Sequence, residues 1–107
     1  MPFATLASLP AKEIFGGLIR GHYAHLDRMT IGEVELNAGT VLPLHSHPHE
    51  QVTYVLSGRF EFTIGGETTI LSTGMTALVP GGVTHGGKTI TACRIIDVFS
   101  PVRDDYR

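Results

Sequence analysis

At 107 residues, 42% of them hydrophobic and 17% charged, the chain has the composition of one globular domain, far from the disordered class. The net charge of −2 offers no basic footprint for nucleic acid or an anionic membrane. The lone Cys93 excludes an internal disulfide, and no stretch approaches the ~20 apolar residues of a membrane span.

A chain of this size buries roughly 65% of its unfolded surface, enough for one core without staples. The N-terminus, MPFATLASLPAKE, lacks a basic segment followed by a long apolar run, so no signal peptide is expected. The expected location is the cytoplasm.

From Gly17 to Leu36 the pattern predicts two extended segments. Thr30, Gly32, Val34 and Leu36 alternate with Ile31, Glu33 and Glu35, as in a half-buried strand. Asn37-Ala38-Gly39 breaks it. Pro43 and Pro48 bracket the run HSH, and each removes a backbone donor, which suits a sheet rim or bend. Val52, Tyr54 and Leu56 then alternate with Thr53 and Val55 up to Ser57-Gly58, and Phe60, Phe62 and Ile64 alternate with Arg59, Glu61 and Thr63.

Gly65-Gly66 is a two-residue hairpin signal that returns Glu67 to Leu71 antiparallel. Ser72-Thr73-Gly74 turns the chain into a short strand, Met75 to Val79, and Pro80-Gly81-Gly82 turns it again to deliver His85. Thr89 to Ser100 reads as the longest strand, with Thr91, Cys93, Ile95, Asp97 and Phe99 on one face. No amphipathic helix exceeds two turns. Many short strands with Gly/Pro turns roughly every 8–12 residues predict an all-β sandwich or barrel.

Chemistry concentrates between Gly39 and Gly58. His45, His47, His49 and Gln51 share one parity, and in an extended chain alternate side chains point to one face. Presented by a strand, His45 and His47 would aim both imidazoles into one cavity. Neutral imidazole suits Zn, Ni, Cu and Fe, and one further His with an oxygen donor completes a four-ligand site.

Two separated segments then resemble the signature of the cupins, small metal-binding jelly-roll barrels. Their first motif sets a Gly, an HxH, a Glu and a Gly at fixed intervals; here these are Gly39, His45, His47, Gln51 in place of Glu, and Gly58. The second sets Gly, Pro-x-Gly, His and Asn; here these are Gly74, Pro80, Gly82, His85, and Thr89 in place of Asn. The resemblance implies a small cupin of one domain (a double-stranded β-helix or jelly-roll barrel) over residues 1–107. It also implies one divalent transition metal (Ni, Zn, Mn or Fe) held by His45, His47, Gln51 and His85. With Gln for Glu the ligands carry no formal charge, so the site stays near the ion's own charge and holds hard cations weakly.

A narrower resemblance runs from Gly39 onward. HPHEQVTYVLSGRFEFTIGGE, VPGGVTHG and DVFSPVRDDY are similar to the pectin-degradation cupins that linearise unsaturated uronates. Those enzymes convert a 4,5-unsaturated monouronate from pectin or alginate into open-chain 5-keto-4-deoxyuronate. By position, Asp97 matches the family's acid/base, Phe99 its ring contact and Arg103 its carboxylate contact. His49 is expected at the rim as a substrate contact.

Desolvation would raise the pKa of Asp97 while a nearby cation would lower it. Cys93 reads as a small buried hydrophobe. Residues Met1 to Asn37 add nothing specific. The expected partners are a sugar acid and a second copy of the chain, because small jelly rolls hide sheet edges and faces by pairing. A metal-dependent cupin dioxygenase, another small-molecule enzyme and a non-catalytic sugar-binding cupin stay open as alternatives.

Overall fold

The alternating patterns become strands throughout residues 2–107, the part that the computed structural model describes. In chain order these are β1 (Ala11–Ile14), β2 (Ile19–His25), β3 (Thr30–Leu36), β4 (Val41–His45) and β5 (Glu50–Ser57). There follow β6 (Phe60–Ile64), β7 (Glu67–Leu71), β8 (Thr76–Val79), β9 (His85–Thr89) and β10 (Cys93–Ser100). Among the described residues the only helical pieces are 3-10 turns at Leu6–Ser8 and Asp104–Tyr106. The pairings are antiparallel. They build a six-stranded sheet, order β1-β2-β3-β10-β5-β8, and a four-stranded sheet, order β4-β9-β6-β7.

The core forms where the inner faces of the two sheets meet. Val34, Val55 and Ile95 from the larger sheet and Leu42, Phe60, Phe62 and Leu71 from the smaller belong to one buried cluster. This is the jelly-roll arrangement, two antiparallel sheets closed over one interior. The β6–β7 hairpin turns at Gly65-Gly66, as expected, and both glycines have positive φ (55° and 83°), the requirement of a tight primed turn.

Pro43 sits in β4, an edge strand, where the register with β9 shifts between Leu42 and His45. A missing N–H is tolerated at such an irregularity.

Two features depart from the sequence reading. Thr89 to Ser100 is not one strand: β9 ends at Thr89 in the smaller sheet and β10 begins at Cys93 in the larger. Residues 90–92 carry the chain between the sheets, anchored by the Ile90 N–H donating to the Arg59 carbonyl at 2.9 Å. The strand β1, paired with β2, has no counterpart in the predicted elements.

Register then sets out the site. Tyr23 on β2 faces Gly32 on β3, Gly32 faces Asp97 on β10, Asp97 faces Thr53 on β5, and Thr53 faces Ala77 on β8. All point inward. On the outer face of the same sheet the adjacent line is apolar: Ile31, Val98, Val52 and Leu78.

Candidate functional site

His45 ends β4 and His85 begins β9, and the two are register partners, so their ring centroids lie 4.3 Å apart. His47 arrives differently from the strand presentation expected of it: β4 has already ended, and His47 comes from the loop that leads into β5. Its ring still lies 4.7 Å from His85 and 5.7 Å from His45. One ligand-capable atom from each of the three lies within 4.8 Å of the others.

The second nitrogen of each ring explains why they converge. The Nδ1 of His45 is 2.8 Å from the Pro43 carbonyl, that of His47 3.1 Å from the His49 carbonyl, and that of His85 2.9 Å from the Val83 carbonyl. A carbonyl can only accept, so each Nδ1 carries a proton, and such a ring, when neutral, keeps its lone pair on Nε2. Burial pushes His47 below the ordinary imidazole value of 6.5 and His85 down to about 4, so both are neutral at pH 7. Nε2 of His85 is buried without a hydrogen-bond partner.

Gln51 adds a fourth donor. Its Nε2 donates to Thr53 Oγ1 at 2.9 Å and reaches toward Asp97 Oδ1 at 3.5 Å, which fixes the amide with its oxygen on the other side. That oxygen lies 3.0 Å from His47 Nε2. Two lone pairs facing each other repel unless a cation lies between them. An orphaned buried Nε2, three backbone-oriented imidazoles and an inward amide oxygen together fit a transition-metal ion.

Asp97 lies on the inner face, buried, with Oδ1 accepting from Thr53 Oγ1 at 2.5 Å. Burial pushes its carboxyl up from 3.8 to about 6, against the opposing pull of the Thr53 hydroxyl and the Arg103 charge. Tyr23 lies across the glycine gap from it. A Cβ on Gly32 would collide with atoms of the Tyr23 ring, so that ring fits only because position 32 has no side chain. Burial, then the nearby Asp97, push the Tyr23 phenol well above its ordinary value of 10. It stays neutral.

Arg103 returns to the barrel after β10. Its backbone N–H donates to the buried Thr30 Oγ1 at 2.9 Å, and its guanidinium packs against two rings, 4.7 Å from the Phe99 centroid and 3.9 Å from that of Tyr106. Tyr106 in turn contacts Tyr23 at 4.8 Å.

His45, His47, His85, Gln51, Asp97, Phe99 and Arg103 all line one hollow, part of it open to solvent. His49 is placed differently. It is not among the lining residues; its ring packs edge-on against His47 at 5.5 Å and Phe99 at 6.4 Å.

Among the lining residues that the sequence reading did not name are Phe15, Tyr23, Thr53 and Tyr106. Phe15 packs edge-on against His45 at 4.8 Å. Thr53 carried a usable signal, a polar residue in phase with Gln51. Tyr23 was hinted at only by glycines inside neighbouring strands.

An antiparallel two-sheet barrel with three histidines at one end of its interior defines a cupin. The Cupin domain family matches residues 32–99, and the chain belongs to that family. The pectin degradation protein KdgF of Dickeya dadantii is 32% identical over 99 residues, covering 91% of this chain and 90% of that protein.

An uncharacterized protein of Streptomyces coelicolor is 39% identical over 74 residues, 68% of this chain and 70% of its own length. Among solved structures, KdgF from Halomonas sp. superposes with a TM-score of 0.88 at 30% identity, over 98% of this chain and 97% of its own. An RmlC-like cupin from Shewanella frigidimarina does so with a TM-score of 0.91 at 28% identity, over 100% and 96%.

Proposed function

We propose that this cupin opens a 4,5-unsaturated monouronate and tautomerises it to linear 5-keto-4-deoxyuronate. What carries the reading is one juxtaposition: a buried carboxylate, Asp97, and a buried arginine, Arg103, line the same hollow as the three histidines. Similarity to a protein named for pectin degradation, at 32% identity over 91% of the chain, supports a sugar acid as the substrate class.

In this reading the substrate is a cyclic hemiacetal whose ring oxygen sits on a C4=C5 double bond. Asp97 takes the proton of the anomeric hydroxyl, the bond from C1 to the ring oxygen breaks, and that oxygen with C4=C5 becomes an enolate. Delivery of a proton to C4 gives the C5 ketone. One proton leaves oxygen and one arrives at carbon, so the step is an isomerisation and needs no co-reactant. A carboxyl raised to about 6 is suited to both halves near neutral pH.

His45, His47, Gln51 and His85 would hold a divalent transition metal, which would polarise the substrate's oxygens and lower the energy of the developing negative charge. Arg103 pairs with the C6 carboxylate, and Phe99 packs against the sugar ring.

The test is to incubate the metal-loaded protein with unsaturated monouronate and follow product by NMR. Asp97→Asn should abolish turnover with metal content unchanged; a fully active variant overturns the role given to Asp97. His45→Ala with His47→Ala should remove the ion, and unchanged metal by elemental analysis overturns the ligand assignment. Oxygen uptake in the same reaction would favour a dioxygenase instead.

The reading includes a cytoplasmic location and a homodimer, the latter supported by the outward apolar line Ile31, Val98, Val52 and Leu78. Light scattering giving a single 11.5 kDa chain overturns the dimer.

A further inference from the structure

The guanidinium of Arg103 is already engaged, and the way it is engaged has a consequence. Nε donates to Asp105 Oδ1 at 3.0 Å and Nη2 to Asp105 Oδ2 at 2.8 Å. The carboxylate therefore occupies the side edge of the fork. Of the five N–H bonds of an arginine, both on Nη1 and one on Nη2 are not used by Asp105. One N–H of Nη1 and the remaining one of Nη2 form the end-on edge, which has the spacing to receive a second carboxylate through two parallel bonds.

We propose that Asp105 is a positioning residue: it fixes the guanidinium edge-on so that the free end of Arg103 is presented to the carboxylate of the substrate. The inference rests on the proposed reaction, in which Arg103 meets the uronate's C6 group.

Three observations support it. Asp105 sits in the 3-10 turn Asp104–Tyr106 directly after Arg103, where the Tyr106 N–H donates to the Arg103 carbonyl at 3.0 Å, so the pair is held by local backbone. The Phe99 and Tyr106 rings, at 86° to each other, pack against the guanidinium without fixing its rotation. The two parallel hydrogen bonds that fix it come from Asp105. The arginine side chain is 8% exposed and the aspartate 59%, so the buried partner faces the hollow while the orienting one faces solvent.

The alternative is that Asp105 competes for the arginine as an internal stand-in for the substrate. The two accounts predict opposite signs. As a positioning residue, Asp105→Ala should raise KM for the unsaturated monouronate by about 10-fold while kcat changes less than about 3-fold, since the freed arginine must be re-ordered each time substrate binds. Asp105→Glu should recover part of the loss.

With the methyl ester of the same sugar, which carries no charge at C6, parent and Asp105→Ala should have the same KM. A purely structural role would lower thermal stability without separating acid from ester. Should Asp105→Ala fail to fold, Asp105→Asn, which keeps the shape and removes the charge, gives the same readout.

A fall in KM, or no change for the acid, overturns the proposal. Arg103→Lys is measured alongside. If it too leaves KM for the acid unchanged, the carboxylate-binding role of Arg103 is what has failed; if it raises KM while the Asp105 variants do not, only the positioning role has.

Discussion

Asp97→Asn should make the metal-free protein more stable at pH 8 and leave it unchanged at pH 4. In the folded chain the carboxyl is raised from 3.8 to about 6, chiefly by burial. A raised folded-state value means that between those two pH values the native state binds more protons than the unfolded state. The carboxyl's contribution to stability therefore falls as pH rises through that window and is fully lost above it.

At 1.36 kcal/mol for each pH unit of difference, the loss is about 3 kcal/mol. The group is buried, so no discount for solvent screening applies. Asparagine has the same shape, can still accept from the Thr53 hydroxyl, and carries no charge to desolvate. Urea denaturation followed by far-ultraviolet circular dichroism, on chelator-treated protein at pH 4, 6 and 8, measures the difference. Titrations of other carboxylates are common to both proteins and cancel.

A variant that is no more stable than the parent at pH 8 would refute the claim that the site holds a costly ionised acid. Gained stability together with lost turnover is the expected signature of a residue kept for chemistry rather than packing.

Further outcomes follow from neighbouring contacts. Gly32→Ala places a methyl group against the Tyr23 ring, which is braced by Tyr106, and should cost about 1–3 kcal/mol by overpacking, read as a lowered Tm. Thr53→Val removes the hydroxyl that favours the ionised form of Asp97, so the acid limb of the kcat/KM profile should move to higher pH; an unmoved limb assigns that limb to another group. Zn²⁺ or Ni²⁺ at a hundredfold excess over Kd should stabilise the chain by about 2.7 kcal/mol, visible as a rise in Tm that the His45→Ala, His47→Ala double variant lacks.

What was legible in the sequence is what carries an interval. The two histidines of HSH, Gln51, His85 and the ending with Asp97, Phe99 and Arg103 stand at spacings that survive folding, and all of them line one hollow. The strand alternation was legible too, because a period of two needs only local order. Tyr23 was not. Its place opposite Asp97 depends on two successive registers, Tyr23 with Gly32 and Gly32 with Asp97, and register between distant strands leaves no mark in one sequence.

Thr89, where the motif has Asn, shows the same limit from the other side. Its hydroxyl donates to the Asn37 carbonyl at 2.6 Å and accepts from the Thr40 N–H at 2.9 Å. It ties the β3–β4 turn to β9, a structural task that the motif position did not disclose. The corner at residues 90–92 lacked a signal because Thr-Ile-Thr-Ala contains no Gly or Pro to mark a turn.

The strand β5 shows why periodicity alone cannot say which face is inside. By hydrophobicity, Val52 and Tyr54 belong in the core and Gln51 and Thr53 in water. The structure has the reverse: Gln51 and Thr53 are buried, at 8% and 0% exposure, while Val52 and Tyr54 are 39% and 40% exposed. Shifting the strand by one residue would exchange the faces and bury more apolar surface, yet it would turn Gln51 away from His47 and Thr53 away from Asp97.

What holds the observed register is β10, which pairs Val98 with Val52 and Asp97 with Thr53, and whose inner face is itself interrupted by a carboxylate. The polar interior is thus a property of two adjoining strands in register, offset inside by mutual hydrogen bonds and outside by a line of apolar side chains from four strands. In the proposed dimer that line would be the contact surface, and then the dimer and the polar site would follow from one choice of register.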